Sequence, residues 1–373
     1  MVRIRAPPVG RKTDQGGRRA SLILHTPRIF PSYFCILPLT NNDRSLYIYP
    51  MSNDTKDAIS VTCNPCDVRC QSIGKHRNGL RRFRCPKCRK SYTEPHRRTL
   101  DTIYISSEKA TLALQLLLEG NSLRSTQRIT GLDINTVMSL LVKAGERSQS
   151  LMDDRMRNLS MKHLQIDEIW TFVQKKARHV RKGDSPEVGD QWVFVAIDAD
   201  TKLIPAFHVG KRHLEDTRTF LWDVYTRIEG RTQITTDGLN HYRAGIPETF
   251  GLDVDFAQLV KLFGDFGQGP DARYSPSRLT EVISKVRSGD PDPDHISTSF
   301  VERQNLTMRM AIRRFTRLTN AFSKKLLNLK AAVALHFAYY NFCRVHSSLR
   351  VTPAMEAGIT DHIWTIAELL GAE

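Results

Sequence analysis

Between residues 160 and 263 short apolar runs alternate with polar turns, and each run has the length and the β-branched or aromatic content of a strand. HLQIDEIWTFV (163–173), DQWVFVAIDADT (190–201) and LIPAFHVGKR (203–212) predict three successive strands, with ADTK as the tight turn between the second and third. In HLEDTRTFLWDVYTRI (213–228) the apolar spacing becomes helical. TQITTDGLNHY then predicts a strand ending at Asp237, and VDFAQLVKLF (254–263) a fifth strand. Three antiparallel strands, a helix and then a parallel strand make an α/β core with a mixed sheet flanked by helices.

Helical periodicity brackets this core on both sides. SSEKATLALQLLLEGNSLRSTQRITGLDINTVMSLLVKAGE (106–146) predicts three helices: Gly120 ends the first, Gly131 turns after the second, and Asp133 caps the third, where Val137, Leu140 and Leu141 face inward. This is the pattern of a helix-turn-helix over residues 104–150, with Asn135, Thr136, Ser139 and Lys143 placed outward to reach base edges. A plain helical connector is the alternative. Downstream, STSFVERQNLTMRMAIRRFTR (297–317) predicts a helix whose apolar face is Val301, Met308, Ile312 and Phe315. Its other face carries Glu302, Asn305, Arg309 and Arg313. Gly, Pro and Asp between about 262 and 296 predict an irregular insertion in a core spanning 160–345, followed by a tail, 346–373.

Composition adds a partner. The chain has 373 residues and a formal net charge of +16, which calls for a polyanion. No apolar run reaches the roughly 18 residues a membrane helix needs, and IFPSYFCILPL is interrupted by two prolines. Residues 1–55 are expected to be poorly ordered, and Met51 is a candidate start downstream of an untranslated stretch. Seven cysteines, five of them between Cys63 and Cys88, point to a reducing compartment and metal ligation rather than a disulfide framework.

Within residues 56–98, Cys63/Cys66 and Cys85/Cys88 are each spaced C-x2-C, as four thiolates around a structural zinc require. Cys70 could replace Cys66 in the first pair. From Arg69 to Arg98 there are eleven Lys or Arg against one Glu, so a zinc ribbon here would present a phosphate-binding surface, with Arg81, Arg82 and Arg84 as its contacts.

The carboxylates fall where chemistry is expected. Asp167 lies inside an apolar strand and Asp237 at a strand's C-terminal end, where open α/β sheets place their sites. Asp198 ends a strand at a hairpin and reads as a turn residue. Glu168 should point to the opposite sheet face from Asp167, so the two should not easily share a metal.

From about residue 60 to 370 the chain resembles the transposases of IS1-type bacterial insertion elements, on the strength of DEIW, TDG followed by a Tyr, and FVERQNLTMR, with NFCRVHSSLRVTPAMEAG similar to the end of integrase-like transposases. The element order is likewise that of a ribonuclease H-like fold. The resemblance implies a catalytic triad of Asp167, Asp237 and Glu302 holding Mg²⁺ or Mn²⁺, strand cleavage at an element's end and transfer of the freed 3′-OH into target DNA. It implies that Asn305, Arg309 and Arg313 contact DNA strands, that the partner is double-stranded DNA, and that at least a dimer forms when two ends are paired. A bacterial cytoplasmic, nucleoid-associated location follows. The rival readings are a DNA-binding regulator on an inactive core and a ribonuclease H-like nuclease.

Overall fold

The computed structural model describes residues 60–76, 80–94, 103, 105–264, 279–316 and 319–371. The whole N-terminal extension, residues 1–55, and residues 265–278 of the insertion lie outside the described residues. The chain divides into two compact units, residues 1–94 and 95–373.

In the first unit, β1 (Thr62–Cys63) pairs with β2 (Val68–Arg69), and β3 (Gln71–Lys75), β4 (Arg81–Arg84) and β5 (Ser91–Thr93) form a three-stranded antiparallel sheet. Its small apolar cluster is Phe83, packed with Cys63, Cys70 and Cys85 and flanked by Val61 and Tyr92. So few apolar side chains cannot stabilise a fold of this size without a further constraint.

The second unit begins with α1 (Ser107–Leu118), α2 (Leu123–Thr130) and α3 (Ile134–Arg155). Gly131 caps α2 at φ +70°, a left-handed conformation that costs glycine little. The Asp133 carboxylate accepts from the Asn135 N–H at 2.8 Å and so caps α3. Val137, Leu140 and Leu141 are buried, as the apolar pattern predicts. Their surroundings are those of a larger core, because α1 and α3 share one continuous apolar cluster with the sheet and its helices. The approach of α3 to the later helix α7 (Leu326–Phe342) is close: a Cβ on Gly145 would sit 2.6 Å from the Ala331 Cβ.

The sheet comprises β6 (His163–Val173), β7 (Gly189–Asp198), β8 (Phe207–Gly210), β9 (Thr232–Thr236), β10 (Val254–Phe263) and β11 (Leu279–Ser288), in the order β11-β10-β9-β6-β7-β8. β6, β7 and β8 pair antiparallel, while β9 runs parallel to both β6 and β10. Helices α4 (Leu214–Arg227) and α5 (Asn240–Phe250) cover one face, where Phe220 meets Phe194. Helices α6 (Ser299–Ala311) and α7 cover the other, where Phe337 meets Phe207. β6 lies at the centre with both faces covered, which is why its sequence is a nearly unbroken apolar run. Two short helices, α8 (Pro353–Glu356) and α9 (Ile366–Leu370), close the chain.

Two expectations change. The segment expected to be irregular contains β11, an edge strand exposed along almost its whole length, so no apolar face marks it in the sequence. The helix expected to reach residue 317 ends at Ala311, and a short 3-10 turn over Arg313–Phe315 follows. Val301, Met308, Ile312 and Phe315 are nonetheless all buried, since the turn folds Phe315 back onto the core.

Candidate functional site

The carboxylates gather where β9 ends. β6 pairs with β9 only as far as Ile166–Thr236, so Asp167 and Asp237 are the next residues on the two parallel strands. Asp167 accepts from the Glu168 N–H and from Asn305 Nδ2, both at 2.8 Å. Asp237 accepts from the Leu239 N–H at 3.0 Å, while Gln258 of β10 donates from Nε2 to the Asp237 and Leu239 carbonyls at 2.8 and 3.2 Å. Gln258 thereby fixes the turn that carries Asp237.

Glu168 corrects the expectation from strand alternation. The β6–β7 register is regular, with Glu168 opposite Phe194 on the α4 face, so its Cβ does point away from Asp167. Even so, one carboxylate oxygen from each of Asp167, Glu168 and Asp237 lies within 4.8 Å of the others. Beyond Ile166 the strand has no β9 neighbour, and side chains from both faces can reach round the vacated edge. Glu168 is buried and held on its own face, accepting from Arg212 Nε at 2.8 Å and from the Tyr242 hydroxyl at 3.0 Å. The Arg212 guanidinium lies over the Trp192 ring, 4.5 Å from its centroid.

This crowding has an electrostatic cost. Burial, and then the neighbouring Glu168 charge, push the Asp167 carboxyl up to about 7, with Asp237 and Glu302 adding to the rise. Burial and Asp237 also raise Glu168, while Arg212 and Tyr242 hold it back. Buried acids that repel one another are the condition a divalent cation relieves, and an all-oxygen donor set suits a hard ion such as Mg²⁺.

Glu302 stands apart from this trio. It lies in the first turn of α6 and is 45% exposed, accepting from the Thr298 hydroxyl at 2.6 Å and forming an ion pair with Lys261 of β10. The N-terminus of α6 is fastened to the central strand by Gln165, whose side-chain oxygen accepts from the Phe300 and Val301 N–H groups at 2.8 and 3.2 Å. Further along α6, Arg309 is half-buried, and Arg313 is exposed in the turn beyond the helix. Asp198 accepts from the Thr201 N–H and hydroxyl and closes the β7–β8 turn, as expected of a structural acid.

Gln165, Gln258 and Glu168 did not stand out in the sequence as site residues. The available signal for the glutamines is a polar side chain at an inward position of an apolar strand, where burial is tolerated only with hydrogen-bond partners.

In the first unit the sulfurs of Cys63, Cys66, Cys85 and Cys88 lie within 4.8 Å of one another. Cys70 falls outside this group and donates to the Val68 carbonyl. The two C-x2-C turns are alike: the residue after each second cysteine, Asp67 or Arg89, has positive φ and donates its N–H to the carbonyl of the first cysteine. The Cys88 N–H lowers the Cys85 thiol to about 6, whereas a hydrogen bond with Cys88 pushes Cys66 up to about 12. On β4, Arg81 and Arg84 are exposed and Arg82 is half-buried. On α3, Asn135 and Ser139 are exposed and Thr136 and Lys143 are half-buried.

No helix among the described residues is long and apolar enough to cross a membrane. No protein-family model matches the chain, and no curated protein matches it. Among solved structures it is similar to the piggyBac transposase synaptic complex with hairpin DNA, at 10% identity and a TM-score of 0.33, over 74% of this chain and 71% of that one. It is also similar to the Mos1 strand transfer complex, at 14% identity and a TM-score of 0.19. The match covers 45% of this chain and 60% of the Mos1 chain.

Proposed function

We propose that the chain is a DNA transposase that cleaves a DNA strand and joins the resulting 3′-OH to target DNA, with a ribonuclease H-like catalytic core and a zinc ribbon ahead of it. The observation that carries this reading is the meeting of Asp167, Glu168 and Asp237 at the C-terminal end of a parallel strand, with a fourth acid, Glu302, on the helix that Asn305 ties to Asp167. The motifs that resemble IS1-type transposases fall on these same residues, and the net charge of +16 suits a DNA partner.

In this reading Asp167, Asp237 and Glu302 hold the divalent metal, with Mg²⁺ or Mn²⁺ as the ion. When bound, the metal would activate the attacking hydroxyl and stabilise the leaving 3′-oxygen. The protein's own part is to position and to exclude. Asn305 orients Asp167, Gln258 holds the Asp237 turn, and Gln165 fixes the start of the helix bearing Glu302. Glu168, retained by Arg212 and Tyr242, keeps negative charge behind Asp167 and favours its pairing with a cation. Glu302 joins the trio once Lys261 releases it, and Lys261 is then available to a DNA phosphate. Cys63, Cys66, Cys85 and Cys88 hold a structural zinc, which makes the basic strand bearing Arg81, Arg82 and Arg84 a rigid phosphate-binding surface. Asn135 and Lys143 contact bases, and Arg309 and Arg313 contact the strands near the acids. Pairing of two element ends implies at least a dimer, acting in the bacterial cytoplasm.

A supercoiled target plasmid incubated with Mg²⁺ and a labelled duplex carrying the DNA that flanks the coding sequence tests this reading. Joining of the label is expected. Cleavage without joining would make the protein a nuclease, and neither reaction would make it a regulator.

A further inference from the structure

A polar cavity of about 180 Å³ lies between α6, the β7–β8 turn and the segment after α7. Lys202, Arg303, Arg344 and His346 line it, and no carboxylate does. Three of these are cationic side chains: the Lys202 Nζ donates to the Ala199 carbonyl and has Asp200 and Asp198 behind it, while Arg303 and Arg344 meet no carboxylate on the cavity wall. Burial, and then Lys202 and Arg344, push the His346 imidazole toward its neutral form.

An independent observation points to a ligand. Gln304 also lines the cavity and is only 2% exposed, yet its side-chain nitrogen has no hydrogen-bond partner. A buried amide donor without an acceptor costs on the order of 1–3 kcal/mol, so it is normally satisfied by a ligand or water. Gln304 shares the cavity wall with Lys202, Arg303 and Arg344, so an acceptor that meets its amide there is favoured when it carries negative charge.

The shape of the cavity selects the kind of anion. Lys202 Nζ sits over the Phe300 ring, 3.3 Å from its centroid, so that aromatic face is covered and cannot stack a nucleobase. The volume equals several waters at roughly 30 Å³ each, enough for a tetrahedral oxyanion and its nearest waters. Phe300, Arg303 and Gln304 all belong to α6, the helix that carries Glu302.

We propose that this cavity binds a backbone phosphate of the DNA strand, held by Lys202, Arg303, Arg344 and the Gln304 amide, and so anchors the strand beside the helix bearing Glu302. This deepens the DNA reading above and rests on it. The Gln304 amide donates to a phosphate oxygen, and the cations supply charge without a covalent step.

The test uses the full chain in EDTA, so that binding is read without chemistry. Wild type, the Arg303→Gln/Arg344→Gln double variant and Gln304→Leu are titrated against a labelled random-sequence duplex over a range of KCl concentrations. The double variant should flatten the salt dependence of log K by about one, since one phosphate contact is lost, and weaken binding at least ~10-fold at low salt. Gln304→Leu should weaken binding several-fold with an unchanged slope, because the lost donor is neutral. Arg303 and Arg344 are exposed, so if Gln304→Leu fails to fold the arginine pair decides. An unchanged slope in the folded double variant overturns the proposal. Inorganic phosphate provides the second arm: if it raises the thermal midpoint of wild type but not of the double variant, while DNA slopes are equal, the cavity takes free phosphate and the DNA assignment fails. A wild type that binds DNA with the expected slope but joins nothing would refute the transposase reading alone.

Discussion

Asn305 Nδ2 donates to Asp167 Oδ2 at 2.8 Å, tying helix α6 to the central strand across 138 residues of sequence. This contact makes the placement of Glu302 a property of the core, because the helix that carries it is fastened at its N-terminus by Gln165 and one turn later by Asp167. The long separation between Asp237 and Glu302 in sequence does not loosen the attachment of α6 to the sheet.

The crowding around Asp167 should be visible in stability. Unfolded, this carboxyl ionises near pH 4, while in the folded protein it keeps its proton to about 7. Between those values the folded state binds the extra proton, so metal-free protein should lose stability as pH rises from 4 to 7, at up to about 1.4 kcal/mol per pH unit. Asp167→Asn should flatten that profile and stabilise the chelated protein at pH 8 by roughly 2–4 kcal/mol. Denaturant titrations at several pH values between 5 and 8 check this, and an equal pH slope in the variant would count against a strained Asp167.

Replacing Cys85 with Ser should empty the cysteine cluster. Zinc content should fall from one per chain to none, and residues 60–94 should lose protease resistance, since their apolar cluster is too small to persist alone. The second unit should keep its cooperative unfolding, because it has its own core. Cys70→Ser should retain the zinc. Metal analysis with limited proteolysis separates these outcomes, and full zinc in the Cys85 variant would refute the ligand set.

Much of this was legible in the sequence. Strand periodicity located β6 to β10, and glycine and capping signals located α1 to α3, because each of these elements has a buried face that leaves a repeating mark. β11 left none, being an exposed edge strand in which Glu281 and Lys285 interrupt one row of side chains and Ser284 the other. Of the acids, Asp167 stood out as a charge inside an apolar strand and Asp237 as one at a strand's C-terminal end. Glu168 was set aside on a correct rule of alternation, which does not register that the neighbouring strand stops two residues earlier. Gln165 and Gln258 act through contacts with segments 135 and 21 residues away, and local patterning carries no trace of such partners.

The contact between α3 and α7 should tolerate no added methyl group. Gly145→Ala would place a Cβ against the Ala331 backbone and side chain, and the helices can part only by disrupting the shared core. A loss of about 1–3 kcal/mol is expected, rising for Gly145→Val. Thermal unfolding checks it. A neutral Gly145→Ala would show that α3 is not seated on α7 as described.

The central claim, that these acids run DNA strand transfer, is tested most directly by comparing wild type with Glu302→Gln in the Mg²⁺-dependent joining of a labelled end to a plasmid. Glu302 is 45% exposed, so the variant should fold and bind DNA normally. The account predicts efficient joining by wild type and loss of both cleavage and joining in the variant, with Asp167→Asn and Asp237→Asn behaving alike and the triple variant little worse. Near-normal joining by folded Glu302→Gln protein would contradict it.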